Sequence, residues 1–384
     1  MNLPQAILAV LAPLSFALAL WQWAAARRFP LHRRVTDPAF APAISLLKPL
    51  KGCDATTPAS LQSWFQQNYA GPTQILFGIA DAHDPVGGIV RDLIEKNPGC
   101  DAQLVVCAEV RGANGKVSTL IQLERLAKHE LILVSDADVR VPPDFLANVV
   151  VPLRDDQTGL VNCFYRLANP VTRAMRCEAV AINADFWSQV LQAASLKPLD
   201  FALGAIMLTR RKVLAEIGGF TALADCLADD YQLGHRIARN GHSIALCPVV
   251  VECWNPPMNW SAVWKHQLRW ARTIRVCQPV PYFFSILSNA TLWPLLWLIA
   301  SLARSQTFCL PLIAAAFLLG RVMLAQSLQR RFVQTRDALA PPWLVPVKDL
   351  LQAAVWLGAF LGNTVEWRGR KMRLRRDGTL VAEK

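Results

Sequence analysis

The feature that most constrains the fold is a long apolar run at the start of the chain. Residues 3–26 are almost entirely apolar, and Arg27 and Arg28 follow directly. About 20 apolar residues are enough for a helix to cross the hydrocarbon core of a bilayer. A cleaved signal peptide is the alternative, but no basic residue precedes the run. We therefore expect residues 1–26 to be an uncleaved anchor, with the following domain in the cytoplasm because positive charges favour that side.

Further apolar runs lie near the other end of the chain, in residues 279–366, which we predict to be a membrane region. Runs at 283–303 and 308–326 are separated only by the sequence RSQT. This pattern is typical of a helical hairpin in a bilayer. The second run contains Arg321, whose side chain must snorkel or find a partner.

A third apolar run, residues 343–360, is interrupted by Lys348 and Asp349. A full third crossing would place the basic residues 367–384 on the far side of the membrane, away from the predicted cytoplasmic domain. We therefore favour an interfacial or re-entrant segment, with a full crossing as the alternative, and interpret residues 367–384 as a basic cytoplasmic tail.

Composition and charge narrow the class of protein. Of the 384 residues, 53% are apolar, and the formal charge is +12. Such hydrophobicity excludes a disordered protein. The positive charge would suit nucleic acid, but basic residues stand beside apolar runs, so we expect bilayer contact and no nucleic-acid partner. The ten cysteines show no CxxC or CxxH spacing, which indicates buried thiols in a reducing compartment. We predict an integral membrane protein, in the inner membrane if the source is bacterial.

The middle of the chain, residues 27–257, has the pattern of a cytoplasmic α/β domain. Short β-branched or apolar runs alternate there with helix-like stretches, which predicts a largely parallel sheet with helices on both faces. In such sheets, ligands bind at the carboxyl ends of the strands. The helix-like stretches lie near residues 58–68, 87–97, 115–128 and 228–240. The strand-like runs are AISLLKP, TQILFGIA, AQLVVCAEV, LILVSDAD, GLVNCFY and SIALCPVVV.

Two carboxylates stand at the end of one predicted strand, in the sequence LILVSDADVR. Like charges repel, so Asp136 and Asp138 suit this position if they are solvated or if a cation lies between them. Mg²⁺ and Mn²⁺ prefer hard oxygen ligands, and Mg²⁺ is bound by one or two carboxylates together with phosphate oxygens. An N-cap aspartate is the alternative for so short a motif, but the buried strand before it favours a divalent metal site.

Two further acidic pairs lie at comparable positions. The sequence FGIADAHDP places Asp81 and Asp84 after an earlier strand. The sequence LADDYQLGHRI places Asp229 and Asp230 at the start of a helix, where acidic residues can simply offset the helix dipole. A rigid helix start would equally hold a general base within reach of a substrate hydroxyl.

Residues 258–278 are predicted to form an amphipathic interfacial helix. At helical spacing, Lys265, Arg269 and Arg272 lie close to one face, and the tryptophans of WSAVW lie on another. Such a helix can lie on a bilayer surface. An arginine followed by a tryptophan is also suited to hold a pyrophosphate near the lipid.

Taken together, these motifs resemble the family-2-like GT-A glycosyltransferases, and within them the ceramide glucosyltransferase group, which includes bacterial glycosyltransferases of hopanoid synthesis. The resemblance covers nearly the whole chain. It implies an α/β GT-A domain with a mostly parallel sheet, plus N-terminal and C-terminal transmembrane helices. The segments that carry it are SLLKPLKG, DAHDP, GANGKVSTL, SDADVRV, GAIMLTRR, LADDYQLG and HQLRWARTIR.

In that group, three aspartate motifs and a (Gln/Arg)-x-x-Arg-Trp motif form the site. The resemblance implies that Asp84, with Asp81 as the competing candidate, contacts the nucleotide base. It implies that Asp136 and Asp138 hold a divalent metal, Mg or Mn, and the diphosphate. It assigns the role of catalytic base to Asp230.

The fourth motif departs from the family pattern. Arg269 and Trp270 match it, but His266 stands where Gln or Arg is expected. An imidazole can still donate to phosphate, so the role of His266 stays open. Lys116 matches a lysine of the group and is expected to neutralise diphosphate charge, and Lys48 is expected to shape the nucleotide pocket.

The resemblance implies a membrane-bound inverting glycosyltransferase that moves a hexose or N-acetylhexosamine from a UDP-sugar to a ceramide-like or hopanoid lipid. A processive polysaccharide synthase is one alternative, although the predicted spans are few for a channel. A non-catalytic lipid-binding scaffold on a transferase fold is another. The UDP-sugar and a membrane lipid are thus the expected partners, and the pattern selects no particular sugar, lipid or oligomer.

Overall fold

The computed structural model describes residues 3–303, 309–334, 339–367, 370–375 and 377–382. The helices are α1 (Leu3–Arg28), α2 (Thr57–Gln62), α3 (Val86–Lys96), α4 (Gly115–Leu126), α5 (Phe145–Val149), α6 (Arg173–Val180), α7 (Trp187–Ala194), α8 (Arg211–Glu216), α9 (Asp229–Arg239), α10 (Trp260–Cys277), α11 (Pro279–Phe284), α12 (Leu292–Leu302), α13 (Cys309–Val333) and α14 (Leu344–Phe360). A π-helix spans Ala181–Phe186, and 3₁₀ turns span Val151–Arg154, Phe220–Leu223 and Ser285–Ser288. The strands are β1 (Ile44–Leu50), β2 (Thr73–Ile79), β3 (Asp101–Val106), β4 (Leu131–Ser135), β5 (Val139–Arg140), β6 (Thr158–Leu167), β7 (Ile206–Arg210), β8 (Ser243–Cys253), β9 (Thr364–Trp367), β10 (Arg370–Leu374) and β11 (Leu380–Ala382).

The chain divides into two compact units. The sheet unit comprises residues 30–169, 197–256 and 372–384. The helical unit comprises residues 1–29, 170–196 and 257–371. The middle stretch of the helical unit carries α6, the π-helix and α7. This stretch, residues 170–196, was predicted to belong to the cytoplasmic domain 27–257, because its hydropathy resembles that of the residues around it.

An eight-stranded mixed sheet forms the centre of the sheet unit, in the order β3-β2-β1-β4-β7-β6-β8-β5. Four of its neighbouring pairs are parallel and three are antiparallel. Strand β1 is buried along its whole length, and its successive residues Leu46 and Leu47 belong to different apolar clusters. A strand with apolar contacts on both faces reads as a continuous apolar run. The prediction of an α/β domain with a mostly parallel sheet is therefore confirmed.

Strand β7 lies outside the set of predicted strands. It pairs antiparallel with both β4 and β6. Its apolar residues are confined to Ile206, Met207 and Leu208, and Thr209 and Arg210 follow, so its alternation is too short to stand out. Its pairing reverses the strand direction in the middle of the sheet.

The helical unit contains the apolar helices. Helices α1 and α13 are long and apolar enough to cross a membrane, and Ala12, Trp297 and Ala314 pack in one cluster. The run expected at 283–303 is not one straight helix, because Pro279–Ser288 and α12 meet at a 45° bend. The side chain of Asn289 explains the break, since its Oδ1 accepts the N–H of Leu292 (2.9 Å) at the start of α12. The predicted RSQT connection lies outside the described residues.

Helix α14 has 17 residues and is not among the candidate spans by length and composition. Its side chains Lys348 and Asp349 are buried. The choice between an interfacial segment and a full crossing for this helix stays a prediction. Helix α10 occupies the position expected for the amphipathic helix at 258–278.

The described part of residues 367–384, interpreted from the sequence as a tail, includes two paired strands. In the sheet unit, Leu374 of β10 pairs antiparallel with Leu380 of β11. The N–H of Leu380 donates to the carbonyl of Asp225 (2.7 Å), and the N–H of Leu227 donates to the carbonyl of Gly378 (3.3 Å). This hairpin therefore supports the loop that leads into α9.

Candidate active site

The sheet places Asp136 and Asp138 between β4 and β5. Strand β4 is fully buried, and the N–H of Asp136 donates to the carbonyl of Ala205 (3.2 Å). The N–H of Trp254 donates to the carbonyl of Asp138 (3.1 Å). Both aspartates are half-buried. Two carboxylates thus stand where a buried strand emerges, on a backbone that neighbouring segments hold in place.

A buried lysine supports this carboxylate segment. Lys48, on β1, donates to the hydroxyl of Ser135 (3.1 Å) and to the carbonyl of Asp136 (2.5 Å). Its Nζ lies 5.1 Å from the ring centroid of Trp64. Burial lowers the pKa of Lys48 to about 7, and the charges of Asp138 and Asp136 oppose that shift. Lys48 therefore fixes the backbone of the segment that carries both carboxylates.

Lys116 joins two of the acidic motifs. It lies in the first turn of α4, where the Asn114 side chain accepts the N–H of Lys116 (3.0 Å) and of Val117 (3.2 Å). Lys116 Nζ lies 2.8 Å from Asp136 Oδ1 and 3.0 Å from Asp229 Oδ2. Burial alone would lower the pKa of Lys116, but the charges of Asp136 and Asp229 outweigh it and raise the pKa. One buried ammonium group therefore connects the second and third aspartate motifs.

The loops that carry Lys116 and Asp229 are also joined through the backbone. The N–H of Asn114 donates to the carbonyl of Ala224 (2.9 Å), and its side-chain amide donates to the carbonyl of Cys226 (2.7 Å). Asn114 is fully buried. These bonds set the position of Lys116 relative to the start of α9, so the ion pairs do not depend on flexible side chains alone.

Asp230 stands in the first turn of α9 and is half-buried. Its Oδ1 accepts the N–H of Tyr231 (2.8 Å). Burial, and then the negative charge of Asp229, raise the pKa of Asp230 to about 6, although Lys116 opposes the shift. A carboxylate with such a pKa is ionised at neutral pH and is basic enough to accept a proton.

The first aspartate motif divides into two unlike positions. Asp84 accepts the N–H of Gly52 with both oxygens (3.0 and 2.9 Å) and the N–H of Val86 (3.0 Å). Gly52 has φ of +68°, a conformation that favours glycine. Asp81 is exposed and accepts the N–H of His83 (2.9 Å). Asp84 thus connects the loops after β1 and β2, whereas the described contacts of Asp81 lie within its own loop. Contact with the nucleotide base stays a prediction for both residues.

The residues of the fourth motif lie on α10 in the helical unit. His266 Nδ1 lies 2.7 Å from Glu178 Oε1, and the same oxygen accepts the side-chain amide of Gln267 (2.8 Å). The rings of His266 and Trp270 lie 4.6 Å apart. The backbone carbonyl of Arg269 accepts the hydroxyl of Thr273 (2.8 Å). His266, the residue that departs from the family motif, therefore pairs with the buried carboxylate of Glu178.

The donor set at Asp136 and Asp138 fits a magnesium or manganese ion. The two residues offer hard carboxylate oxygens, and in the described part of the chain no group of three or more His, Cys, Asp or Glu side chains is arranged to hold a metal. A cation there would take its other ligands from phosphate oxygens and water, which is the usual coordination of Mg²⁺. Asp136 Oδ1 is at present paired with Lys116, so the cation would share that carboxylate with the ammonium group.

Some residues of the site were missing from the sequence prediction. Gly204 is one, since a Cβ atom there would lie 2.7 Å from Asp230 Oδ2. Glu178 is another, an acidic residue on α6 that lies 88 positions away from His266. No local signal identified Glu178, because α6 also carries Arg173 and Arg176 and its carboxylate looks like an ordinary charge on a helix.

The chain is similar in sequence to glycosyltransferases. The sequence model of glycosyl transferase family 21 matches residues 7–380. Ceramide glucosyltransferase 3 of Caenorhabditis elegans is 24% identical over 228 residues, which cover 57% of this chain and 48% of that protein. The ceramide glucosyltransferase of Candida albicans is 32% identical over 121 residues, which cover 29% and 22%. The chain spans about half the length, or less, of these curated relatives. The resemblance inferred from the motifs is confirmed.

A solved structure shows the same fold. The mannosyltransferase PcManGT from Pyrobaculum calidifontis, determined in complex with GDP-Man and Mn²⁺, superposes with a TM-score of 0.59 at 21% identity. The match covers 93% of this chain and 98% of that one. The predicted GT-A fold class is therefore confirmed.

Proposed function

The chain belongs to glycosyl transferase family 21, and on this premise we propose that it is a membrane-bound lipid glycosyltransferase. It moves a hexose or N-acetylhexosamine from a UDP-sugar to a hydroxyl of a ceramide-like or hopanoid lipid. The names of the curated relatives support transfer to a lipid. The two candidate spans support a location in a bilayer, and Arg27 and Arg28 after α1 favour a cytoplasmic catalytic domain.

The observation that carries the proposal is the arrangement around Lys116. This one buried ammonium group pairs with Asp136, of the motif assigned to the diphosphate, and with Asp229, the neighbour of the assigned base. Transfer from a nucleotide sugar needs a positive group near the leaving diphosphate and a base near the acceptor hydroxyl. A buried ammonium group and a carboxylate suited to these two roles lie on loops that are joined by hydrogen bonds.

Asp230 is the proposed base. Its carboxylate takes the proton of the acceptor hydroxyl as that oxygen attacks the anomeric carbon from the face opposite the diphosphate. Burial and Asp229 raise its pKa to about 6, which strengthens it as a base while leaving it ionised at pH 7. A single displacement of this kind inverts the anomeric centre.

Asp136 and Asp138 are the residues that would hold a divalent cation, which when bound supplies positive charge against the diphosphate. Lys116 neutralises part of the same charge from the protein side, and Lys48 keeps the carboxylate segment in place. Because the charges of Asp136 and Asp229 raise the pKa of Lys116, its ammonium group stays protonated at neutral pH. Asp84 is proposed to contact the nucleotide base, and Arg269, Trp270 and His266 to contact the diphosphate.

The test is a transfer assay on the full chain reconstituted in lipid. The protein is incubated with a panel of UDP-sugars and total membrane lipid, and the products are identified by mass spectrometry. One sugar added to one lipid, with UDP release that depends on lipid, is the expected result. A ladder of sugar units would instead indicate a polysaccharide synthase, and no release of UDP with any sugar would indicate a binding scaffold.

A further inference from the structure

The helical unit holds four ionised side chains in one buried cluster, formed by Asp185, Arg321, Lys348 and Asp349. Arg321 Nη2 lies 2.8 Å from Asp185 Oδ2, and its Nε lies 2.8 Å from Asp349 Oδ2. Lys348 contacts Asp185 and lies 2.5 Å from Asp349 Oδ1. We call this set the charge cluster. Its four charges sum to zero, and both of its cations are already paired with both of its carboxylates.

Elements that are otherwise apolar supply these side chains. Arg321 lies midway along the candidate span α13, and Lys348 and Asp349 lie on α14. Asp185 lies in the π-helix, a rare conformation that occurs often at functional sites. Replacing buried ion pairs by apolar residues is often neutral or stabilising. Ionisable residues among membrane helices are therefore a reason to look for a ligand.

A cavity of about 90 Å³ adjoins the charge cluster. This volume has room for several water molecules or for a small polar group. Besides the cluster, its lining is rich in uncharged polar side chains, which are Gln22, Gln189, Ser285, Ser288, Asn289 and Gln352.

Gln22 is the residue of this lining whose side-chain amide is available to a ligand. Its side chain, on the candidate span α1, is only 5% exposed. Among the described residues no hydrogen-bond partner of its amide is present, although the amide offers two donors and one acceptor. The amide lines the cavity, so its donors and its acceptor are open to whatever occupies that space. A group with both donor and acceptor atoms in the cavity would satisfy it.

We propose that this cavity binds the uncharged hydroxyl- or amide-bearing headgroup of a membrane lipid. The lining offers hydroxyl and amide groups, and the cluster offers no cation that is free to bind a phosphate, because Arg321 and Lys348 are paired. A lipid is the source because Gln22 and Arg321 stand on the two helices suited to cross a bilayer. The lipid is either the acceptor, in which case this inference rests on the proposed function, or a resident lipid of the same chemistry.

The experiment uses the full chain in nanodiscs and two photoreactive probes, a diazirine-bearing ceramide and a diazirine-bearing phosphatidylglycerol. Labelling of α1 and α14 peptides by each probe is measured by mass spectrometry for the wild type, Gln22→Leu and Gln352→Leu. The matched control is Gln5→Leu, which makes the same change on α1 at a residue whose amide donates to Ala300 (3.2 Å) and does not line the cavity. Thermal melting of each variant checks that it folds. If Gln22→Leu does not fold, Gln352→Leu alone tests the cavity.

We expect the ceramide probe to label the wild type and Gln5→Leu equally, and either cavity variant about fivefold less, as for the loss of about 1 kcal/mol of hydrogen bonding. Equal labelling in all variants, or equal labelling by phosphatidylglycerol, would overturn the proposal. A raised KM for lipid in the cavity variants identifies the acceptor, and weaker labelling with an unchanged KM identifies a resident lipid; both support the site. If labelling follows the expected pattern but no UDP-sugar is used, the cavity stands and the proposed function fails.

Discussion

Gly204 and Asp230 approach so closely that a Cβ atom on the glycine would lie 2.7 Å from Asp230 Oδ2. The carboxylate of the proposed base therefore occupies space that only a glycine leaves open. Gly204 precedes β7, the strand that the sequence analysis missed, so this contact depends on the reversal of direction in the middle of the sheet.

The substitution Gly204→Ala is expected to displace the Asp230 carboxylate and lower transfer by about 10-fold to 100-fold, because small misplacements of catalytic groups are costly. Gly88→Ala is the matched control, since a Cβ there meets no atom within 4 Å. Rates of UDP release with saturating lipid give the comparison. Similar losses of transfer rate in the two variants would show that catalysis does not depend on the space that Gly204 leaves for the Asp230 carboxylate.

The pH profile of transfer should report the titration of Asp230. Its pKa is raised to about 6 by burial and by Asp229, and the ionised form is the base. The rate should therefore be half-maximal near pH 6, level off about one unit above it and fall tenfold per unit well below it, as the carboxylate gains its proton. Asp230→Asn should lose about 10²-fold or more at pH 7.5 and lose the acid limb of the profile. An unchanged acid limb in Asp230→Asn would assign it to another group.

The metal assignment predicts a specific response of Asp138→Asn. Loss of one carboxylate should raise the Mn²⁺ concentration needed for half-maximal UDP binding, while the melting temperature stays near that of the wild type. Asp156→Asn, at an exposed position in the sheet unit, is the control. Isothermal titration of UDP at several Mn²⁺ concentrations measures the effect, and identical Mn²⁺ dependence in all three proteins would remove Asp138 from the metal site.

Arg269 is predicted to act on the diphosphate and not through attraction to lipid. Arg269→Ala should lower transfer by about 10²–10³-fold, the size expected for a preorganised donor to a developing charge. Lys265→Ala removes a charge from the same helix at an exposed site, where lipid attraction contributes about 1 kcal/mol. Measured in neutral detergent, where that attraction is absent, Lys265→Ala should be nearly normal. Comparable losses in both variants would indicate that α10 matters only as a charged surface.

Much of the sheet unit could be predicted because its signals are local. Strands β1 and β4 begin within one residue of the predicted runs, and α3, α4 and α9 begin close to the expected positions. A buried strand is continuous in its hydrophobicity, and a capped helix start such as Asn114 is read from neighbouring residues. These features need no knowledge of the rest of the chain.

The parts that could not be predicted depend on residues far apart in sequence. Lys116 was expected to neutralise diphosphate, but its pairing with Asp229 is set by the loop bonds between Asn114 and Cys226, 112 positions away. The partner of His266 is Glu178, and no local pattern connects them. Arg321 was expected to snorkel or pair, and only the fold shows that it pairs with Asp185 and Asp349.

The members of the charge cluster are synthesised one after another, at widely spaced positions of the chain. The ribosome makes Asp185 first, Arg321 136 residues later, and Asp349 a further 28 residues on. When the candidate span α13 has been made and α14 has not, Asp185 is the carboxylate of the cluster that is available to pair with Arg321. The second carboxylate arrives only with α14, together with the compensating charge of Lys348. The ion pairs of Arg321 with Asp349 therefore form only after α14 has been synthesised, so the candidate span α13 depends on a later segment of the chain for its full neutralisation.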